Sequence, residues 1–134
     1  IMETKRNEST ELRPEGDRVI DAPLVNINIP EFIKQLKSED TWKSSDRNAI
    51  TVFKTNGLRI VLIALRAEAE MPKHNADGII SVQVIEGEIK FTTDAKSLTL
   101  LQGEMLALHK GLHHSVKAIK ESVIILTLTT TLEE

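Results

Sequence analysis

From Arg47 onward, short apolar runs alternate with turn residues, the pattern of short strands joined by tight turns. Ala49 to Lys54 and Leu58 to Arg66 flank Asn56-Gly57, a pair that readily takes the positive φ angles of a tight hairpin. Ile79 to Ile85 and Glu88 to Thr92 flank Glu86-Gly87 in the same way. Ser97 to Leu101, Met105 to Leu108, His114 to Ile119 and Ser122 to Thr129 continue the rhythm. Strands this short, at this spacing, predict an all-β sandwich or barrel.

The first third of the chain reads differently. Pro30 suits the first turn of a helix, where its missing N–H is not needed, and Phe32, Ile33 and Leu36 then share a face. This one short helix ends near Ser38, because Ser38 to Arg47 is polar apart from Trp42, which is expected to pack down as an anchor. Val19 to Ile29 reads as one or two short extended pieces broken by Pro23, which fits a sheet edge. Residues 1–16 are polar and charged without periodicity, so a flexible tail or an arm on a partner subunit is expected there, with the folded domain over 17–134.

Between Leu58 and Arg66 both strand faces are apolar: Ile60, Leu62 and Ala64 on one side, Val61, Ile63 and Leu65 on the other. One face must fill the barrel. The other needs cover, from the helix or from a second subunit, and a homodimer is expected because two-fold pairs are the commonest assemblies.

Composition narrows the chemistry. A chain of 134 residues fits one domain with one core. A net charge of −3 with scattered Lys and Arg gives neither a nucleic-acid stripe nor a polybasic membrane patch. The absence of cysteine removes disulfides, thiolate catalysis and cysteine-ligated metals, so any metal would need nitrogen and oxygen donors. Apolar runs such as Ile60 to Leu65 are far shorter than a membrane span, and nothing near Met2 resembles a signal peptide, so a cytoplasmic protein is expected. No Gly-x-Ser-x-Gly elbow, phosphate-binding glycine loop or zinc-protease helix is present.

Two segments carry a family likeness. In the first, Glu68 stands where a leading glycine would be, His74 matches a first ligand histidine, Ala76 replaces the second, Ile80 replaces a glutamate and Gly87 matches a closing hairpin glycine. In the second, Gly103, Gly111 and His114 match two turn glycines and a ligand histidine at intact spacing, while His109 replaces a proline and Ala118 an asparagine. Over residues 58–128 the chain thus resembles a small single-domain cupin with a depleted metal motif. The resemblance implies an all-β fold, a single cupin β-barrel (double-stranded β-helix or jelly roll) with one short N-terminal helix. It also implies that His74, positions 76 and 80, and His114 converge in the lumen.

In metal-bearing cupins three histidines and a carboxylate hold the ion. Here Ala76 and Ile80 offer no donor atoms. His74 and His114 could still hold a divalent transition metal (Zn, Ni, Fe or Mn) if His109 or Asp77 supplied a third ligand. Ile80, Val82 and Val84 make one strand face more apolar, which suits either a pocket for a small, partly hydrophobic molecule or a better-packed core. Arg66, if its strand runs that far, brings a guanidinium to the barrel mouth where it could clamp a carboxylate or phosphate; if the strand stops earlier, the side chain is solvated.

Three readings follow. The first is a small-molecule binder presenting His74, His114, His109, Arg66, Ile80 and Val82 to its ligand. The second is a metal-dependent enzyme of oxygenase or isomerase type on a reduced histidine site. The third is a filled barrel with a structural or dimerisation role.

Overall fold

The computed structural model describes residues 3–74 and 76–130, with His74 described in its backbone alone. In chain order the elements are β1 (Lys5–Asn7), β2 (Arg18–Asp21), α1 (Ile29–Ser38), α2 (Asp40–Ser44), β3 (Arg47–Thr55), β4 (Leu58–Leu65), β5 (Glu70–His74), β6 (Ile80–Glu86), β7 (Glu88–Thr93), β8 (Ser97–Leu101), β9 (Met105–Leu108), β10 (His114–Ala118) and β11 (Ser122–Thr129). They form a five-stranded sheet in the order β3-β4-β11-β6-β9, a four-stranded sheet in the order β5-β10-β7-β8, and a two-stranded β1-β2 ribbon. All of the pairings are antiparallel.

Alternation decides which side chains meet between the larger sheets. Val61, Ile63 and Leu65 of β4, Ile80, Val82 and Val84 of β6, and Ile124 of β11 face Ile89 and Phe91 of β7, Leu100 of β8, and Val116 and Ala118 of β10. On the outside of the five-stranded sheet, Ile50, Val52, Leu62, Ala64 and Val123 form a second core with Leu36 of α1 and Trp42 of α2. The doubly apolar β4 is therefore covered on its outer face by the chain's own helices.

The main helix starts where Asn28 accepts a hydrogen bond from the Glu31 amide at 3.2 Å, with Pro30 in the first turn. Besides β1, which lies in the polar N-terminal segment, two elements had no periodic signal. The five-residue α2 is too short to show one, yet it sets Trp42 at 5% exposure. The other, β5, contains Pro72, which a strand tolerates at a sheet edge, and β5 is the edge of its sheet.

The hairpin from β6 to β7 closes one end of the barrel. Gly87 has φ +90°, and a Cβ there would lie 2.3 Å from Ser122 Oγ and 2.4 Å from Glu121 O, so both the turn and the close approach require glycine. Ser122 Oγ receives the Glu88 amide at 3.0 Å and donates to Lys120 O at 2.8 Å, tying β11 to that turn.

Residues 3–16, expected as a free tail or an arm for a partner, lie against their own domain. Polar contacts rather than apolar burial hold them. Arg6 pairs with Asp17 within the β1-β2 ribbon, and Arg18 Nε donates to Thr51 O at 2.9 Å. Arg13 is the main fastening: its guanidinium meets Glu39 at 2.9 Å and donates to Ala49 O at 2.8 Å. Asn48 Nδ2 donates to Glu39 Oε1 at 2.9 Å and to Leu36 O at 3.0 Å, and Gln35 reaches Glu39 Oε2 at 3.1 Å.

Burial pushes the Glu39 carboxyl up, but the hydrogen bonds from Arg13, Asn48 and Gln35 outweigh it and hold the group below the ordinary carboxylate range. A depressed carboxyl contributes stability that is fully present above its unfolded value and is lost as pH falls through the folded one. Arg13→Met is therefore expected to lower stability in urea at neutral pH. Its deficit against the parent should shrink as pH falls through the carboxylate range; a deficit that stays constant with pH would mean that Arg13 acts only through packing.

Candidate functional site

One end of the barrel is open. Ile80 pairs with Leu108 and Leu128, and His114 with Thr93 and His74, so the start of β6 and β10 and the end of β5, β7, β9 and β11 gather there. Two recesses enter the lumen at this mouth. The larger, of about 430 Å³, is lined by Phe91 and Thr93 of β7, Leu98 of β8, Leu106 and Leu108 of β9, and Leu112 and His113 of the following loop. The smaller, of about 300 Å³, is lined by Ala76, Asp77, Gly78, Ile80, His114, Leu126 and Leu128.

A ring pair divides them. Phe91, bordering the larger recess, stacks on His114, bordering the smaller, with centroids 5.4 Å apart and planes 10° from parallel. His114 is 4% exposed, and its Nδ1 lies 3.1 Å from Leu112 O. A carbonyl only accepts, so this contact places a proton on Nδ1 and orients the ring. The same contact holds the loop that carries Leu112 and His113.

Hydrogen bonds brace the rim. Thr93 Oγ1 accepts the amides of Ala95 and Lys96 at 3.3 and 3.2 Å, fixing the β7–β8 turn. Gly111 N donates to Ala76 O at 3.0 Å, joining the loops on either side of the smaller recess. Gly78 packs so closely on β11 that a Cβ would fall 1.7 Å from Thr129 O. Asp94 lies on the turn with Lys73 Nζ at 2.5 Å and His113 Nδ1 at 3.5 Å. The hydrogen bond from Lys73, more than any other contact, holds the Asp94 carboxyl below its ordinary value.

The residues singled out from the sequence separate here. His114 and Ile80 line the smaller recess. Val82 does not reach either one: at 2% exposure, paired with Leu106, it belongs to the packed core below. His109 is exposed on the loop after β9 and lines neither recess.

Arg66 is also away from the mouth. Its strand ends at Leu65, and the guanidinium stacks over the Trp42 ring at 4.3 Å while donating to Trp42 O at 3.0 Å. It pins α2 to the sheet at the opposite end. The reason is the alternation itself: the even-numbered face of β4 is the outer face, under the helices.

The backbone of His74 pairs with that of His114, and its side chain lies outside the described residues. Among the described residues no three His, Asp or Glu side chains are grouped to hold a metal. The smaller recess offers His114 and Asp77, with a methyl and a branched alkyl group at positions 76 and 80. Positions 76 and 80 therefore supply neither the second histidine nor the carboxylate of a cupin metal centre.

The larger recess was not anticipated. Its walls come from Phe91, Leu98, Leu106 and Leu108, each identifiable as an alternating strand position, but the pairing that brings β8 and β9 to one opening is not written in any short motif. Because Phe91 is buried and stacked on His114 at the wall between the recesses, Phe91→Ala should cost about 3–5 kcal/mol in urea unfolding. Phe91→Leu should cost markedly less, and equal losses would show that ring stacking contributes more than filled volume.

Comparison with known proteins is informative through structure alone. No protein-family model matches the chain, and no curated protein does. Its structure is similar to that of the Cnp3 cupin domain of Schizosaccharomyces pombe, with a TM-score of 0.62 and 18% identity over 98% of this chain and 90% of that one. It is similar to a cupin-2 domain containing protein from Shewanella frigidimarina, with a TM-score of 0.62 and 22% identity over 77% of this chain and 93% of that one. It is also similar to a salicylate 1,2-dioxygenase from Pseudaminobacter salicylatoxidans, with a TM-score of 0.57 and 22% identity over 62% of this chain and 26% of that one.

Proposed function

Since the chain has the cupin β-barrel fold, we propose that it uses that barrel as a container, binding a small molecule at the open mouth. The observation that carries this reading is the recess of about 430 Å³ between the two sheets. Its size lies in the range of small-molecule sites, about 300–1,000 Å³, and its lining is predominantly apolar with a few polar groups on one side, as such sites are. A barrel serving only as a scaffold would be expected to fill this space with its own side chains, because protein interiors pack to crystal-like density.

A metal-dependent reaction finds less support. Its chemistry needs an ion held with open positions, and Ala76 and Ile80 remove two of the donors that would hold it. The similar dioxygenase shows that an enzyme can be built on this fold, but at 22% identity its activity is not carried over. No helix among the described residues is long and apolar enough to cross a membrane.

A thermal-shift screen of small apolar acids, alcohols and amines tests the reading. A ligand at a hundred times its dissociation constant adds about 2.7 kcal/mol to the native state, which raises Tm. We expect at least one class to do so, and Leu98→Trp, which narrows the opening, to abolish the shift. The reading fails if no compound stabilises the protein. It also fails if the purified protein carries stoichiometric metal whose removal by a chelator lowers Tm, because the metal-dependent alternative would then lead.

A further inference from the structure

The larger recess is chemically lopsided. Phe91, Leu98, Leu106, Leu108 and Leu112 give it an apolar body, and its polar groups lie together, on the Thr93–Ser97 turn and at His113. There the charges do not balance. Asp94 is the carboxylate of the lining, and it is already engaged by Lys73 and approached by His113. Lys96, two residues further on the same braced turn, also lines the recess, and among the described residues no carboxylate pairs with it. Lys73 and Lys96 therefore outnumber the one carboxylate at this edge.

Resting on the binding reading above, we infer that the occupant of the larger recess is a small monoanion with an apolar body, such as a carboxylate, its head group at Lys96 and His113. The apolar portion replaces water against the leucines and Phe91. The head group stays at the rim, where it remains partly hydrated and avoids the cost of burying a charge. Asp94, with its carboxylate 3.5 Å from His113 Nδ1, repels that head group and weakens its binding without abolishing it. A cationic head group would meet Lys73 and Lys96 without a free carboxylate to receive it, so the rim selects by sign.

Octanoate, octanol and octylammonium share one body and differ in charge, and calorimetric titration of the full chain with each separates the two levels of the argument. Octanoate is expected to bind about tenfold more tightly than octylammonium, the difference shrinking as salt screens the exposed rim. Lys96→Gln should weaken octanoate by about threefold, the modest effect of an exposed charge, and leave octanol unchanged. Asp94→Asn should tighten octanoate, again without touching octanol. Leu98→Trp, with the half-exposed Leu112→Trp as a second obstruction, should weaken all three probes.

Octanol binding that is blocked by the Trp variants, together with octylammonium binding as tight as octanoate, would overturn the anion inference and leave the container reading standing. Failure of all three probes to bind would overturn both.

Discussion

The structure depends on the two apolar faces of the five-stranded sheet. Its central strands β4 and β11 carry Val61, Ile63, Leu65 and Ile124 inward and Leu62, Ala64 and Val123 outward, so neither side of the sheet can face water. Burying each of the valine, leucine and isoleucine side chains is worth about 1.5–3 kcal/mol, which makes cover on both sides the strongest demand the chain makes. The outer demand is met by α1 and α2, and the inner by the four-stranded sheet. The Arg13–Glu39–Asn48 network and the Arg66–Trp42 stack then keep the helical cover in place.

The mouth follows from the same layout, because two facing sheets with unequal strand numbers have edges that must be dealt with. On one side Arg47 of β3 donates across to Glu70 O of β5, bridging the two edges. On the other side β8 and β9 leave a tight turn around Gly103 and are not paired with each other. Near the turn the gap is closed, with Leu100 at 7% exposure. Toward the mouth it opens, with Leu98 on the same face at 41%. The larger recess is the space left where those two edges part, and its apolar lining is the inner face of the barrel brought to the surface.

Most of the barrel was legible in the sequence because its strands alternate and end in turn residues; β8, β9 and β11 have the limits that their patterns suggest. What escaped had no local signature. The strand β5 has a proline and a single partly buried apolar contact in Met71, and the N-terminal segment is held by ion pairs whose partners lie far along the chain. The site was half legible for a related reason. Residue spacing located His114 and Ile80 in the lumen, because a strand fixes which side chains share a face. Which strands stand across a cavity from each other depends on long-range pairing, so Phe91, Leu98 and Leu112 gave no warning; Arg66, open between the barrel mouth and a place beyond the strand's end, lies past Leu65 on Trp42.

Ala76 and Ile80 change the chemistry of the lumen as well as removing donors. With alkyl groups at both positions, the smaller recess has His114 as its buried polar side chain, and that ring is already oriented by Leu112 O and stacked on Phe91. A histidine held in this way helps to position the loop that walls the larger recess, so the two recesses are coupled through one aromatic pair. Because the rim is braced at Thr93, Gly111 and Thr129 before any ligand arrives, little ordering is left to be done on binding. On the binding reading proposed above, selection at such a mouth falls to the shape of the apolar wall and to the sign of charge on the turn after β7.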